Sequence, residues 1–167
     1  MFKPVFRILF AALIAFGAFG ALPVIARAQN LDSEIELLRS DLKSGKVDML
    51  GQIIHPDSAM ANKFWPVYRK YQLDLDQIAD KRVATIKDYA ENYDKMTAEK
   101  AKSLVKQALD TQSARTALLK KYYPQFEKVL GSIDAAKVLQ FESLVMNMVD
   151  LQIASQLPLI QKPTAKQ

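Results

Sequence analysis

Few side chains in this sequence are equipped for chemistry. The single histidine, His55, stands between Ile54 and Pro56 at what reads as a helix entrance, with no cysteine and no second histidine to join it. A zinc site needs three or four ligands in fixed geometry. Asp48 or Asp57 could lend an oxygen, but no spacing makes them converge on His55, so no metal ligand is assigned. Asp76 and Asp80 lie one turn apart on a helical pattern, a spacing that could hold a hard cation or polarise a water. Lys81 and Lys87 share that stretch, and mixed charge of this kind reads as a solvated helix surface. Serine, histidine and aspartate all occur, but without a nucleophile motif. The expectation is a non-enzyme with no catalytic residue, cofactor or metal.

The remaining candidates are aromatic. Phe64-Trp65-Pro66-Val67-Tyr68-Arg69-Lys70-Tyr71 is the densest patch, and Tyr122, Tyr123 and Phe126 form a second beside Lys120, Lys121 and Lys128. Rigid rings rimmed by Arg and Lys stems suit a protein-binding groove. The same rings at helical spacing also suit a packed cap between helices. Phe64, Trp65, Tyr68, Arg69, Tyr71, Tyr122, Tyr123 and Phe126 are the candidate protein-binding residues.

These residues must be carried by helices. Only Gly45, Gly51 and Gly131 follow residue 28, too few for a turn-rich β chain, and strong helix formers dominate. A short helix is expected over Asp32–Lys43, ended by Ser44-Gly45, and residues 46–56 read as a further short helix or an apolar tether. Pro56 or Asp57 opens a long amphipathic helix, with Met60, Phe64, Tyr68, Tyr71, Leu75, Ile78, Ile86 and Tyr93 at steps of three and four. Pro66 predicts a bend, or a start delayed to Trp65. After a break at Asn92–Met96, Thr97 caps a second long helix, which Pro124 kinks near its end and Gly131 terminates. Ser132 is expected to cap a last helix from Ile133 to about Gln156. Its apolar side is broad enough to predict burial on more than one side, both by folding back and by a partner. Pro158 stops it, and Gln161–Gln167 reads as a flexible tail. The fold class is therefore all-α: a long antiparallel helical hairpin with a short N-terminal helix and a C-terminal bundle-completing helix. Antiparallel pairing brings the two aromatic clusters to one end, as a cap, a groove or a homodimer seam.

Residues 1–28 differ from the rest. Lys3 and Arg7 precede an uncharged run from Ile8 to Ala26, and Ala26-Arg27-Ala28 places small residues before a cleavage point. This predicts a signal peptide cleaved after Ala28 and a periplasmic mature chain, with retention as an anchor as the alternative. No later segment is apolar enough to span a bilayer, so stable membrane insertion is not expected after cleavage. Losing the segment's three basic residues lowers the net charge from +5 to +2. That small value argues against nucleic acid as a partner. A chain without cysteine also tolerates an oxidising compartment. The domains expected are 1–28, a single helical domain over 29–160, and the tail 161–167.

Met96-Thr97-Ala98-Glu99-Lys100 resembles the Leu-Thr-x-x-Gln motif of a periplasmic stress-chaperone superfamily, with Met for Leu and Lys for Gln, at the expected helix start. Ile54-His55-Pro56-Asp57-Ser58 is a second counterpart. The stretches FWPVY, IKDYAENYDKMT, KKYYPQF and LQIASQLPLI are similar to an uncharacterised family of exported helical proteins grouped near that superfamily. The resemblance implies a hairpin-based homodimer whose concave surface binds unfolded or envelope proteins in envelope maintenance. The alternatives are a structural or regulatory homodimer without general client binding and, further off, a metal-responsive envelope protein.

Overall fold

The computed structural model describes residue 40 and residues 42–160. The expected signal peptide, most of the expected Asp32–Lys43 helix and the expected tail lie outside the described residues. The chain divides into two compact units between Ile53 and Ile54. In the first, residues 42–53 belong to helix α1 (residues 42–54), which runs straight through Ser44-Gly45 and Gly51. The expected stop at Gly45 is thus corrected. Glycine costs about 1 kcal/mol in a helix interior, and burial of Leu50 and Ile54, four residues apart on one face, outweighs it.

α1 ends at His55, whose φ of 42° lies in the left-handed region. A residue of that conformation commonly closes a helix, and a proline after it prevents continuation. Asp57 then caps α2 (Ser58–Asn92), its carboxylate accepting from the Met60 N–H at 2.8 Å. The 35 residues of α2 extend about 52 Å. The helix is continuous through Pro66, so the delayed start near Trp65 does not occur. Pro66 and Asn62 both face solvent, where water can satisfy the carbonyl that lost its amide partner.

A single 3₁₀ turn (Tyr93–Lys95) reverses the chain. α3 (Ala98–Leu130) then starts on Thr97, whose hydroxyl accepts from the Lys100 N–H at 3.1 Å, and Met96 is buried beneath the turn. α3 continues through Pro124 to Leu130. Gly131 is the only residue between it and α4 (Ser132–Gln156). Its φ of 77° and ψ of 165° fall in a region that essentially only glycine occupies. Ser132 is not the cap it was expected to be. Its hydroxyl donates to Glu127 Oε1 at 2.8 Å, while the Gly131 carbonyl accepts from Ala135.

Side-chain pairs fix the topology of this second unit. Asp74–Lys121, Thr85–Gln107 and Asp88–Lys100 tie α2 to α3 in opposite directions. Tyr68–Glu142 and Arg82–Asp150 advance together along α2 and α4, so α4 returns parallel to α2. The unit is an up-down-up three-helix bundle, all-α, with no strand among the described residues. Its core runs through Phe64, Tyr68, Tyr71, Leu104, Leu118, Tyr122, Phe126, Leu130, Ala135, Val138 and Phe141.

Two substitutions probe the elements that set this topology. Gly131→Ala meets no steric obstacle from neighbouring atoms, so its expected cost of about 1–3 kcal/mol is purely one of backbone conformation. Asp57→Ala should cost about 1 kcal/mol through the lost cap. Urea unfolding followed by circular dichroism measures both, and an unchanged midpoint for Gly131→Ala contradicts the backbone argument.

Candidate functional site

The two aromatic patches meet as the antiparallel pairing requires, but inside the bundle. Phe64, Tyr68 and Tyr71 occupy one face of α2 at i, i+4 and i+7, and Tyr122 and Phe126 oppose them from α3. The ring centroids of Phe64 and Phe126 lie 5.6 Å apart, those of Tyr71 and Tyr122 5.5 Å, and those of Tyr71 and Phe126 5.8 Å. These five candidate binding residues are buried and form core rather than an open groove. That corrects the groove expectation: rings at this spacing gain more from one another's faces and edges than from water. Trp65 is half-buried, leaning on the Phe64 and Tyr68 rings at 4.8 and 5.8 Å. Arg69 is exposed, and Tyr123 lies half-buried with its hydroxyl donating to Glu127 at 3.1 Å.

At the centre of the cluster sits a residue that the sequence reading did not single out. Glu142 on α4 has no exposed surface. Its two carboxylate oxygens accept from the hydroxyls of Tyr68 at 2.6 Å and Tyr71 at 2.8 Å, and Gln72 Nε2 donates to the Tyr68 oxygen at 2.6 Å. A buried carboxylate is tolerated only when its lone pairs are satisfied. Among the described residues no buried side-chain nitrogen or oxygen lacks a partner. The signal was present in the sequence: Glu142 lies four residues after Val138 and three before Val145, on the apolar stripe of its helix.

A second polar layer lies farther along the bundle. Arg82 of α2 and Arg115 of α3 both donate to Asp150 of α4, Arg115 at 2.8 and 3.0 Å, while Arg115 Nε points to the Met146 sulfur at 3.2 Å. Nearer the aromatic end, Asp74 accepts from Lys121 Nζ at 2.7 Å and from the Tyr122 hydroxyl at 2.9 Å, and these bonds hold its carboxyl below the usual carboxylate range. His55 is exposed, and no three His, Cys, Asp or Glu side chains among the described residues gather as a metal site would require.

The outer faces carry what the interior does not. Leu144 and Leu151 lie exposed seven residues apart on α4, with Ile133 exposed at its start. Within the chain, the broad apolar side is thus covered on one side. On α3, Val105 and Leu109 are exposed one turn apart. Leu109 borders a shallow depression lined by Gln112, Ser113, Thr116, Ala117 and Lys120. No family model, curated protein or solved structure matches the chain.

The buried clasp of Tyr68 and Tyr71 on Glu142 makes stability fall at alkaline pH. Burial first, and then the charge of Glu142, push the Tyr68 and Tyr71 phenols far above their ordinary value. An unfolded tyrosine loses its proton near pH 10. Above that pH the unfolded chain releases protons that the folded chain keeps, so stability falls as pH rises. The limiting slope is about 1.4 kcal/mol per pH unit for each tyrosine. Urea midpoints between pH 8 and 11.5 should therefore drop more steeply for the native chain than for the Tyr68→Phe/Tyr71→Phe variant. Parallel curves for the two proteins are the contrary result.

Proposed function

We propose that this protein is a non-enzymatic protein-binding protein of the periplasm, acting in envelope maintenance. The observation that carries the reading is the set of large apolar side chains left on the outer faces, Val105 and Leu109 on α3 and Leu144 and Leu151 on α4. Exposed apolar surface beside charge is what a binder of other proteins requires. Two details support kinship with the Leu-Thr-x-x-Gln stress chaperones. In both motif counterparts a buried apolar residue, Ile54 or Met96, precedes a side-chain cap, Asp57 or Thr97, at the start of a long helix. The periplasmic assignment rests on the charge and apolar pattern of residues 1–28.

A second reading, a structural or regulatory homodimer with one fixed partner, draws support from the burial of Phe64, Tyr68 and Tyr71. A broad client groove would keep such rings accessible.

The mature chain should suppress aggregation of a denatured client without ATP, at stoichiometric amounts. Leu144→Ser/Leu151→Ser should weaken that activity several-fold while leaving helicity intact. Absence of suppression at excess protein, together with a single stable dimer on size-exclusion light scattering, supports the second reading and rejects the first. For localisation, the protein recovered from a periplasmic extract should begin at Gln29 by intact mass, and an uncleaved chain in the membrane fraction contradicts export with cleavage.

A further inference from the structure

α2 and α3 turn charged faces outward, with Lys63, Lys70 and Lys81 exposed on the first and Lys102, Lys106 and Lys120 on the second. α4 does not. Between Val138 and Ser155 its exposed residues are Gln140, Leu144, Asn147, Leu151, Ala154 and Ser155, without a charge among them. Leu144 and Leu151 are 56% and 73% exposed. Asp150, half-buried in the same stretch, is held by Arg82 and Arg115. Large aliphatic side chains with no charge between them mark the centre of a protein interface, whereas a wetted helix surface carries charge.

The layout of this stripe is its own complement. Gln140, Leu144, Asn147, Leu151 and Ala154 recur at steps of four and three, the seam spacing of two paired helices. Two copies of α4 laid antiparallel, with a two-fold axis beside Asn147, set each Leu144 against the other copy's Leu151. Asn147 then stands within one residue of its own counterpart, and an amide carries both donors and an acceptor. Gln140 falls opposite the other copy's Ser155. Charge selects this direction. Antiparallel docking brings the positive N-terminal end of one helix beside the negative C-terminal end of the other, where α4 has no basic residue in its last turn. Parallel docking would set Lys137 against Lys137 and Asp134 against Asp134, two residues already bonded to each other within one helix at 2.7 Å. The paired stretch, Gln140 to Ser155, is about 22 Å long. One helix wide, it lies at the small end of specific interfaces, so a dissociation constant in the micromolar range is expected.

We infer that the outer face of α4 is a self-association surface, on which a second copy of this chain docks antiparallel through Leu144, Asn147 and Leu151. The inference rests on the homodimer reading and gives that dimer its seam. Clients of the chaperone reading would use the same two leucines, so self-pairing sets a competition between a client and the second copy.

The chain has no cysteine, so single cysteines report on the seam directly. Asn147→Cys in the mature chain should convert to a disulfide-linked dimer under mild oxidation. Gln140→Cys and Ser155→Cys should crosslink to each other when mixed and neither to itself, because antiparallel docking leaves like positions about 22 Å apart. Sedimentation equilibrium should show a monomer–dimer equilibrium across the micromolar range. Leu144→Ser/Leu151→Ser, and Asn147→Lys, which sets like charges together on the axis, should each raise the dissociation constant at least tenfold with helicity unchanged by circular dichroism. A chain that stays monomeric throughout overturns both this inference and the homodimer reading. A dimer that Asn147→Cys does not lock, or that survives Asn147→Lys, overturns the seam and spares that reading. Self-crosslinking of Gln140→Cys overturns the antiparallel docking. Monomers that sediment with phosphatidylglycerol vesicles assign the face to a lipid surface and likewise overturn the inference.

Discussion

The bundle is organised around a carboxylate that has no access to water. Glu142 is held by two phenols one turn apart on α2, and that geometry admits one register. Sliding α4 by a turn would part the carboxylate from at least one of its phenols and leave a buried oxygen unpaired, which is costly. Apolar packing alone would not choose so sharply, because α4 is apolar around much of its circumference and could present several faces. The polar contact supplies the specificity that its hydrophobic residues lack. The Arg82–Asp150–Arg115 layer repeats the device with one residue from each long helix. It lies closer to solvent and so constrains less.

The all-α class, the two long helices, both side-chain caps and the meeting of the aromatic clusters were legible in residue spacing, because each depends on local pattern or hairpin geometry. Burial was not. A ring at helical spacing looks the same whether it lines a groove or fills a core, and only the third helix decides. Without placing α4, the sequence offered no means of knowing that Phe64, Tyr68 and Tyr71 would be closed over. Glu142 escaped notice for the related reason that an acid on an apolar stripe reads as an interruption until its partners are known. Gly45 misled because glycine's helix penalty is smaller than the burial it opposed. Ser132 misled because the helix already begins at that residue, with Gly131 in the cap position.

The same division separates interior from function. The rings most suggestive of recognition are mostly buried, whereas the surface of α3 and α4 is marked by plain leucines, one valine and one isoleucine. Nothing in the types or spacing of Tyr89 and Tyr93 distinguishes them from core residues of the same stripe. Their hydroxyls meet the Pro158 and Leu159 carbonyls, and no pattern encodes that path of the chain. Binding proteins built on bundles face this problem generally: helices present similar side chains inward and outward, and tertiary placement assigns the roles.

The one-residue junction at Gly131 also bears on how the fold is reached. With almost no loop, α3 and α4 close on each other at small entropic cost, as do α2 and α3 across their short turn. Tyr68 and Glu142, by contrast, are 74 residues apart, so their bond can form only after both turns have brought α4 back alongside α2. Pairing of neighbouring helices is therefore the local contact, and the Tyr68–Glu142 bond the one that needs both turns in place.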